Sequence, residues 1–366
     1  MSASRSDRAQ ILDEYQGLIA ESESIEGRAA RRDALIAAMQ VLERLPISDD
    51  LEQNRRALCH LFDAASDWVL RPLRLAGGHD AIITYIEGLV DKDALDKHVI
   101  SPLMRFDGVA RPAPDGFHGY AAGGSTPAGS PGLIDHIKLR VLEDSQVEVI
   151  ESIKDLVDGM LHGDTGLLVA GENKALSISS RAYEKREVGE PDTESVIRGP
   201  REGFVENLRS NTALIRLRVR TPQLKIETIR VGRLSRTDVA ICYIQGVTPP
   251  TIVVEAKRRL SRIDIDGIVD SAAIEEFLED APYSPFPQTI PTERPDIVAA
   301  NLFEGRIAVL VDGSPFALIV PVTLWSLLQA SEDYYERFFI GTFLRLLRYV
   351  LAVLALLGPA LYVAIT

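Results

Sequence analysis

The stretch DAIITYIEG, Asp80 to Gly88, returns as DVAICYIQG, Asp238 to Gly246, and this recurrence decides the fold. Asp, Ile, Tyr, Ile and Gly hold the same spacing in both. A second pair follows the same logic: GDTGLLVAG from Gly163 to Gly171, and GRIAVLVDG from Gly305 to Gly313. Short apolar runs rich in Ile, Val, Leu and Tyr and bounded by Asp and Gly read as buried strands. Two such blocks recurring in one order mean a duplicated unit.

Working outward, each copy reads alike. A strand (Trp68 to Leu75; Leu224 to Val231) leads through a polar turn into the Tyr-Ile-x-Gly strand. A helix follows, then a short strand and a second helix (Val149 to Leu161; Pro295 to Phe303). Ile153, Leu156, Val157, Met160 and Leu161 form a stripe at helical spacing, suited to lie on a sheet. A closing apolar hairpin turns at Gly171 or Gly313, where AGEN (Ala170 to Asn173) and DGSP (Asp312 to Pro315) fit tight turns. The expected fold class is α/β, in the α+β sense with mixed sheets. It comprises two related α/β subdomains, residues 51–185 and 222–328, joined by a helical linker.

The linker is residues 186–221. Pro200 stands just inside the start of a helix, which is expected to run from about Arg201 to Arg218 with Phe204, Leu208, Asn211 and Ile215 in one line. Residues 1–50 read as a polar helical arm, solvated or weakly docked. It carries short stripes at Ile11, Tyr15, Leu18 and Ile19, and at Leu35, Met39, Leu42 and Leu45. Residues 107–132, rich in Gly, Pro, Ala and Ser, read as a flexible insertion in the first subdomain, with too little apolar surface to offset ordering.

From Tyr349 to Thr366 no residue is charged, close to the ~20 apolar residues a helix needs to cross hydrocarbon. Gly358-Pro359 interrupts the run, and a buried C-terminal helix is the alternative; membrane helices tolerate both residues. Residues 349–366 therefore read as a first transmembrane helix, cut short. Arg337, Arg345 and Arg348 precede it and nothing basic follows, so the positive-inside bias puts the preceding chain in the cytoplasm. Residues 329–348 read as an amphipathic elbow lying in the bilayer interface. Arg337, Gly341, Arg345 and Arg348 fall on one face, with Phe339, Phe343, Leu346 and Leu347 over the rest.

A net charge of -13 opposes phosphate wrapping, so no nucleic-acid partner is expected. Cys59 and Cys242 are too few for a disulfide framework, and Cys242 sits in an apolar run as a buried thiol. His60, His79, His98, His118, His136 and His162 show no metal spacing. No Gly-x-Gly-x-x-Gly follows a strand and no Gly-Lys-Ser/Thr is present. Asp164-Thr165-Gly166 has the form of an aspartic-protease motif, but that chemistry needs a second carboxylate, and the repeat places Arg306-Ile307-Ala308 there. A polar turn between helix and strand is the reading taken. Arg198-Gly199-Pro200-Arg201 at a helix start could hold an anion, but pairing of these arginines with carboxylates such as Asp192, Glu194 or Glu202 is the reading taken. No catalytic, metal or cofactor residue is expected, and the chain does not read as an enzyme.

Several motifs are long enough to carry a resemblance. SVIRGPREGFVEN (Ser195 to Asn207) contains Arg198, Gly199, Pro200, Arg201 and Asn207, and NTALIR begins at Asn211. PYSPFPQ (Pro282 to Gln288) contains Tyr283, Pro285, Phe286 and Pro287, and TERPD contains Glu293, Arg294 and Pro295. LVDGSPF contains Asp312, and EDYYER contains Tyr334, Tyr335 and Arg337. From about Leu51 onward the chain resembles the A subunit of GerA-type spore germinant receptors, a group that includes spore-membrane proteins encoded with the dipicolinate channel.

That resemblance implies a protein of the spore inner membrane with its N-terminal domain facing the spore core. It implies a permease-like B subunit and a lipoprotein C subunit as partners, homo-oligomerisation in the lipid bilayer, and a cation channel opened by nutrients. Nutrient recognition is attributed to the B subunit, so no ligand-contact residue is carried over. The alternatives are a germinant-independent paralogue that amplifies ion release, from which the PYSPFP motif leans away, and a two-lobed module that holds a small ligand. The family runs on through further membrane helices, and residues 1–45 and 107–132 depart from its usual pattern.

Overall fold

The computed structural model describes residues 5–25, 27–75, 78–105, 133–140, 142, 146–182, 191, 193–194, 200–281, 284, 286–328 and 338–365. The insertion expected at 107–132 lies outside them. The chain forms two compact units, Met1–Arg186 with Arg220–Gln223, and Glu187–Val219 with Leu224–Thr366.

In the first unit, α1 (Arg5–Ser24) and α2 (Arg28–Leu42) pair as a helical hairpin. The unit continues with α3 (Leu51–Leu61), β1 (Trp68–Arg74), β2 (Asp80–Ile86) and α4 (Lys92–Leu95). A π turn (Asp96–Ile100) joins α4 to α5 (Ser101–Arg105), and α6 (Leu133–Arg140), β3 (Val147–Ile150), α7 (Ile153–Leu161), β4 (Asp164–Val169) and β5 (Ala175–Ser179) complete it. The second unit holds α8 (Leu208–Arg218), β6 (Leu224–Val231), β7 (Thr237–Ile244), α9 (Pro250–Ser261) and α10 (Ser271–Leu278). Then come β8 (Ile290–Thr292), α11 (Pro295–Phe303), β9 (Ile307–Val311), β10 (Ala317–Val320), α12 (Leu324–Leu327) and α13 (Phe338–Ile365).

The sheets have one topology, β1-β2-β4-β5-β3 and β6-β7-β9-β10-β8. Register matches too: Leu167 faces Ile83 as Val309 faces Ile241. The duplicated α/β architecture is as expected, but every ladder is antiparallel. The edge strands β3 and β8 lie against the returning arm of each closing hairpin, opposite to it in direction, so no parallel pair forms among the described residues. Helices cover both faces of the second sheet. Ala240, Cys242, Leu310 and Ile319 point into a core with α8 and α11, while Val239, Ile241, Val309 and Leu318 point into another with α9 and α10. Burial on both faces explains why these strands read as continuous apolar runs rather than alternating ones.

Gly163 and Gly305 show why the block boundaries are glycine. Both have positive φ, and a Cβ there would sit 3.1 Å from Leu89 O and 2.9 Å from Val247 O respectively. The Asp-Thr-Gly run is not a turn, as expected above, but the first three residues of β4. Asp164 accepts from Arg181 Nε at 3.0 Å, and Gly166 leaves room for Leu156, whose Cδ1 would lie 2.4 Å from an added Cβ.

The expected linker helix is corrected in both extent and role. It begins at Leu208, with Asn207 as its N-cap accepting from Ser210 N at 3.0 Å; Pro200 and Arg201 lie outside it. Asn and Asp favour the N-cap because their side chains satisfy an orphan helix N–H. Helix α8 is the counterpart of α3, capped by Asp50. Asn211 holds Val205 by both backbone groups, accepting from its N–H at 2.8 Å and donating to its carbonyl at 2.5 Å. Asn54 holds Ser48 in the same way, at 2.9 and 2.7 Å. Gly313 N donates to Glu206 O as Gly171 N donates to Asp49 O. The repeat thus starts one helix earlier than the sequence blocks showed.

The N-terminal arm is docked rather than solvated. Tyr15, Ile19, Ala38, Val41 and Leu42 are buried, and Ile153 N donates to Leu45 O. Tyr15 Oη accepts from Gln223 Nε2 at 2.8 Å, and burial pushes its pKa up to about 12. Arg8 donates to Asn54 Oδ1 at 3.0 Å, so the arm plugs into the first clamp.

Replacing either clamp asparagine by alanine deprives a half-buried backbone N–H and carbonyl of their partner, at about 1–1.5 kcal/mol per group. Asn211→Ala and Asn54→Ala are each expected to lower stability by about 2–3 kcal/mol in urea unfolding. A change below about 0.5 kcal/mol, the range of neutral surface substitutions, would contradict the assignment.

Candidate functional site

The motif residues within the described chain gather in the second unit. Asn207 and Asn211 set the start of α8, and Asp312, on the β9–β10 turn, adds a second cap by accepting from Leu208 N at 3.1 Å. Phe204 N donates to Glu293 O at 2.7 Å, and Glu293 Oε2 accepts from Thr193 N at 3.1 Å. Thr292 Oγ1 donates to Glu194 Oε2 at 2.8 Å and accepts from Arg294 N at 3.2 Å. Burial raises the Glu194 pKa above the usual carboxylate value, with Thr292 and Arg294 pulling the other way.

Arg294 is fully buried at the N-cap of α11, ahead of Pro295 at the first helical position. Its guanidinium folds back to Asp296, with Nε and Nη2 at 3.2 and 2.8 Å from the two carboxylate oxygens. Asp296 also lies in the first turn, where a negative charge favours the helix dipole. The cluster fastens residues 193–194 and 204–211 to the sheet and, among the described residues, presents no activated nucleophile or base. Phe286 is exposed, in a loop whose base is pinned by Asp280 N to Gln288 Oε1 and Gln288 N to Glu279 Oε1, both 2.8 Å. Arg201 does not stand at a helix N-terminus, which removes the premise of the alternative anion reading; Glu202 pairs with Arg218 at 2.5 Å. Arg198, Gly199, Tyr283, Pro285, Tyr334, Tyr335 and Arg337 fall outside the described residues.

A second feature escaped the sequence reading. Strand β10 leads through Val320–Val322 to Thr323, which caps α12 in a reciprocal box with Ser326. Trp325 on α12 meets Tyr349 on α13 edge-on, ring centroids 5.2 Å apart and planes at 73°. Arg348 Nη1 donates to Leu328 O at 3.1 Å. The sheet is thereby tied to α13. This helix runs unbroken for 28 residues, with a mean hydropathy of 2.0 over its most apolar window and none of that window buried. The described part of the elbow and the apolar run, expected as separate segments, are one helix from Phe338: Gly341, Gly358 and Pro359 all lie within it and none of them ends it. At ~1.5 Å per residue it is roughly 42 Å long, against a hydrocarbon core of about 30 Å.

A family model described as Bacillus/Clostridium GerA spore germination protein matches residues 56–366. The chain belongs to the GerA family. It is 38% identical over 90% of its length to the uncharacterised membrane protein YfkQ of Bacillus subtilis, strain 168. It is 35% identical over 87% to spore germination protein KA of the same strain, and 37% identical over 82% to spore germination protein GerLA of Bacillus cereus. The GerA-family chain spans 61%, 56% and 57% of these relatives' lengths. Its fold matches the crystal structure of the N-terminal domain of the A subunit of the Bacillus megaterium spore germinant receptor GerK3. The TM-score is 0.53 at 30% identity, covering 76% of this chain and 97% of that one.

Truncating one partner of a buried ion pair leaves the other charge stranded. Arg294→Ala is expected to cost about 3–5 kcal/mol and Asp296→Ala a similar amount, with the double variant well short of their sum. A urea-unfolding double-mutant cycle reads the coupling, and additivity would refute it.

Proposed function

We propose that this GerA-family chain is the A-type subunit of a nutrient receptor in the spore inner membrane, and that its second unit couples the soluble domain to a membrane-crossing α13. The observation that carries the reading is the junction of Trp325 with Tyr349 and of Arg348 with Leu328. It joins a rigid five-stranded sheet to the helix long and apolar enough to cross a bilayer. A displacement of β10 is passed to α13 through the capped α12 and its contacts with Tyr349 and Arg348.

Arg345 and Arg348 before the apolar run favour a soluble domain on the cytoplasmic, spore-core side. The names of the relatives and of the solved receptor domain support spore germination as the process and a receptor as the assembly. In that assembly the chain works as a homo-oligomer with a permease-like B subunit and a lipoprotein C subunit, and contributes to a nutrient-gated cation channel.

Nutrient-triggered cation release from spores expressing the gene tests the coupling. Trp325→Ala is expected to slow release about fivefold or more, the range of a coupling of ~1–3 kcal/mol, with membrane levels of the protein unchanged. Trp325→Phe retains most of the rate. Unchanged release with Trp325→Ala at normal abundance would sink the proposal.

A further inference from the structure

Helix α12 turns two large apolar side chains outward. Leu324 is 52% exposed and Trp325 56%, although the Trp325 ring already rests edge-on against Tyr349. Ser326, the next residue, is buried. Single exposed apolar residues are commonplace on a soluble surface. What sets this pair apart is its level along α13.

Tyr349 opens the run without charge, residues 349–366, and Arg345 and Arg348 stand within one turn before it. Guanidiniums keep to the aqueous edge of a bilayer, reaching it along their aliphatic stems. In a crossing α13 the boundary between headgroups and hydrocarbon therefore falls close to Arg348 and Tyr349. Trp325, with its ring centroid 5.2 Å from that of Tyr349, shares this level. The exposed apolar surface of α13 runs on through it, by Leu346, Leu347, Val350 and Leu351. A bilayer that surrounds α13 here also reaches α12. Trp and Tyr favour this layer because each has an apolar body and a polar tip.

The backbone of α12 suits a water-poor layer, where polar groups need partners within the protein. At its start, Ser326 N and Leu327 N donate to Thr323 O at 2.9 and 3.2 Å, and Thr323 N donates to Ser326 Oγ at 3.0 Å. At its end, Leu328 O accepts from Arg348 Nη1 at 3.1 Å. The cation that marks the boundary thus also closes the helix. A chain with a net charge of -13 gains little from adsorbing to anionic headgroups. Apolar insertion is what remains to hold such a contact.

We propose that α12 is an interfacial membrane anchor, with Leu324 and Trp325 inserted at the headgroup–hydrocarbon boundary of the bilayer that α13 crosses. Lipid covers the part of Trp325 that Tyr349 leaves bare, and the second unit is held to the membrane at a second point and a fixed height. This rests on the reading of α13 as membrane-crossing and extends it to the soluble domain.

Tryptophan quenching of the 366-residue chain in phosphatidylcholine vesicles tests the anchor. The lipid carries bromines on its acyl chains, either near the glycerol or near the bilayer midplane. The chain has two tryptophans, and Trp68→Phe leaves Trp325 as the emitter. Shallow bromines are expected to take away more of the Trp325 emission than deep ones. Trp68 is half-buried and stacked on Phe62, so the difference between the unsubstituted chain and Trp325→Phe gives the same reading should Trp68→Phe not fold. A second reporter separates the anchor from the reading beneath it. Leu356→Trp, added to Trp68→Phe and Trp325→Phe, puts the emitter ~10 Å further along α13 than Tyr349, where deep bromines quench more. Given that result, a Trp325 untouched by either lipid, or quenched more by the deep one, overturns the anchor and leaves the crossing helix standing. A Trp325 unquenched by lipid yet shielded from aqueous acrylamide, increasingly so at higher protein density, assigns the face to a second copy and also overturns it. An unquenched Leu356→Trp reporter overturns both.

Discussion

A single asparagine, used twice, organises this chain. Asn211 closes both backbone groups of Val205, and Asn54 those of Ser48, so that an extended segment is fixed before each leading helix starts. Both side chains are buried, where a bidentate pairing replaces water for two backbone groups and two side-chain groups at once. The helix, the tight turn of the closing hairpin and the sheet edge then follow. Gly171 N and Gly313 N reach the residue just before each N-cap, locking the hairpin tip to the helix start. Remove the clamp and three elements lose their mutual register.

What the duplicated frame supports is a central antiparallel sheet with helices on both faces in the second unit. Its inner strands carry buried side chains in both directions, so substitutions there are felt by two cores. Such a sheet is a stiff body. Rigidity matters because a mechanical signal is transmitted only by elements that do not absorb it. The reciprocal Thr323–Ser326 box keeps the connection to α12 short and ordered, and the Trp325–Tyr349 contact places an aromatic pair between α12 and α13.

Much of this was legible in the sequence, for identifiable reasons. The Asp-to-Gly blocks marked strands whose glycines are demanded by positive φ and close carbonyls, and their recurrence gave the duplication. Helix α7 announced itself by its stripe. The linker was misread because Pro200 carries a strong helix-start signal, while the true start depended on Asn207 and on a partner across the fold, Asp312. Nothing local distinguishes those two starts. The arm read as solvated or only weakly docked because α1 has a weak apolar stripe; its docking relies on polar groups, Arg8 with Asn54 and Tyr15 with Gln223, whose partners lie far along the chain. The ladder sense was likewise invisible, since direction is set by how helices return the chain. Of the motif cluster, the residue identities were plain, but which of them meet was a tertiary fact.

The differences between the copies say where the output lies. Where the second copy has Asp312 capping α8, the first has Ala170, so the first leading helix has a single side-chain cap. Where the second has the buried Arg294–Asp296 pair at the start of α11, the first has Ser152 capping α7 through its hydroxyl. Buried charges are costly to desolvate and contribute less stability than apolar packing of the same volume. A duplicated unit that keeps them in one copy alone has placed them for definition of geometry rather than for stability. That copy is also the one followed in the chain by α12 and α13. Geometric definition is thus concentrated in the unit that carries α12 and α13.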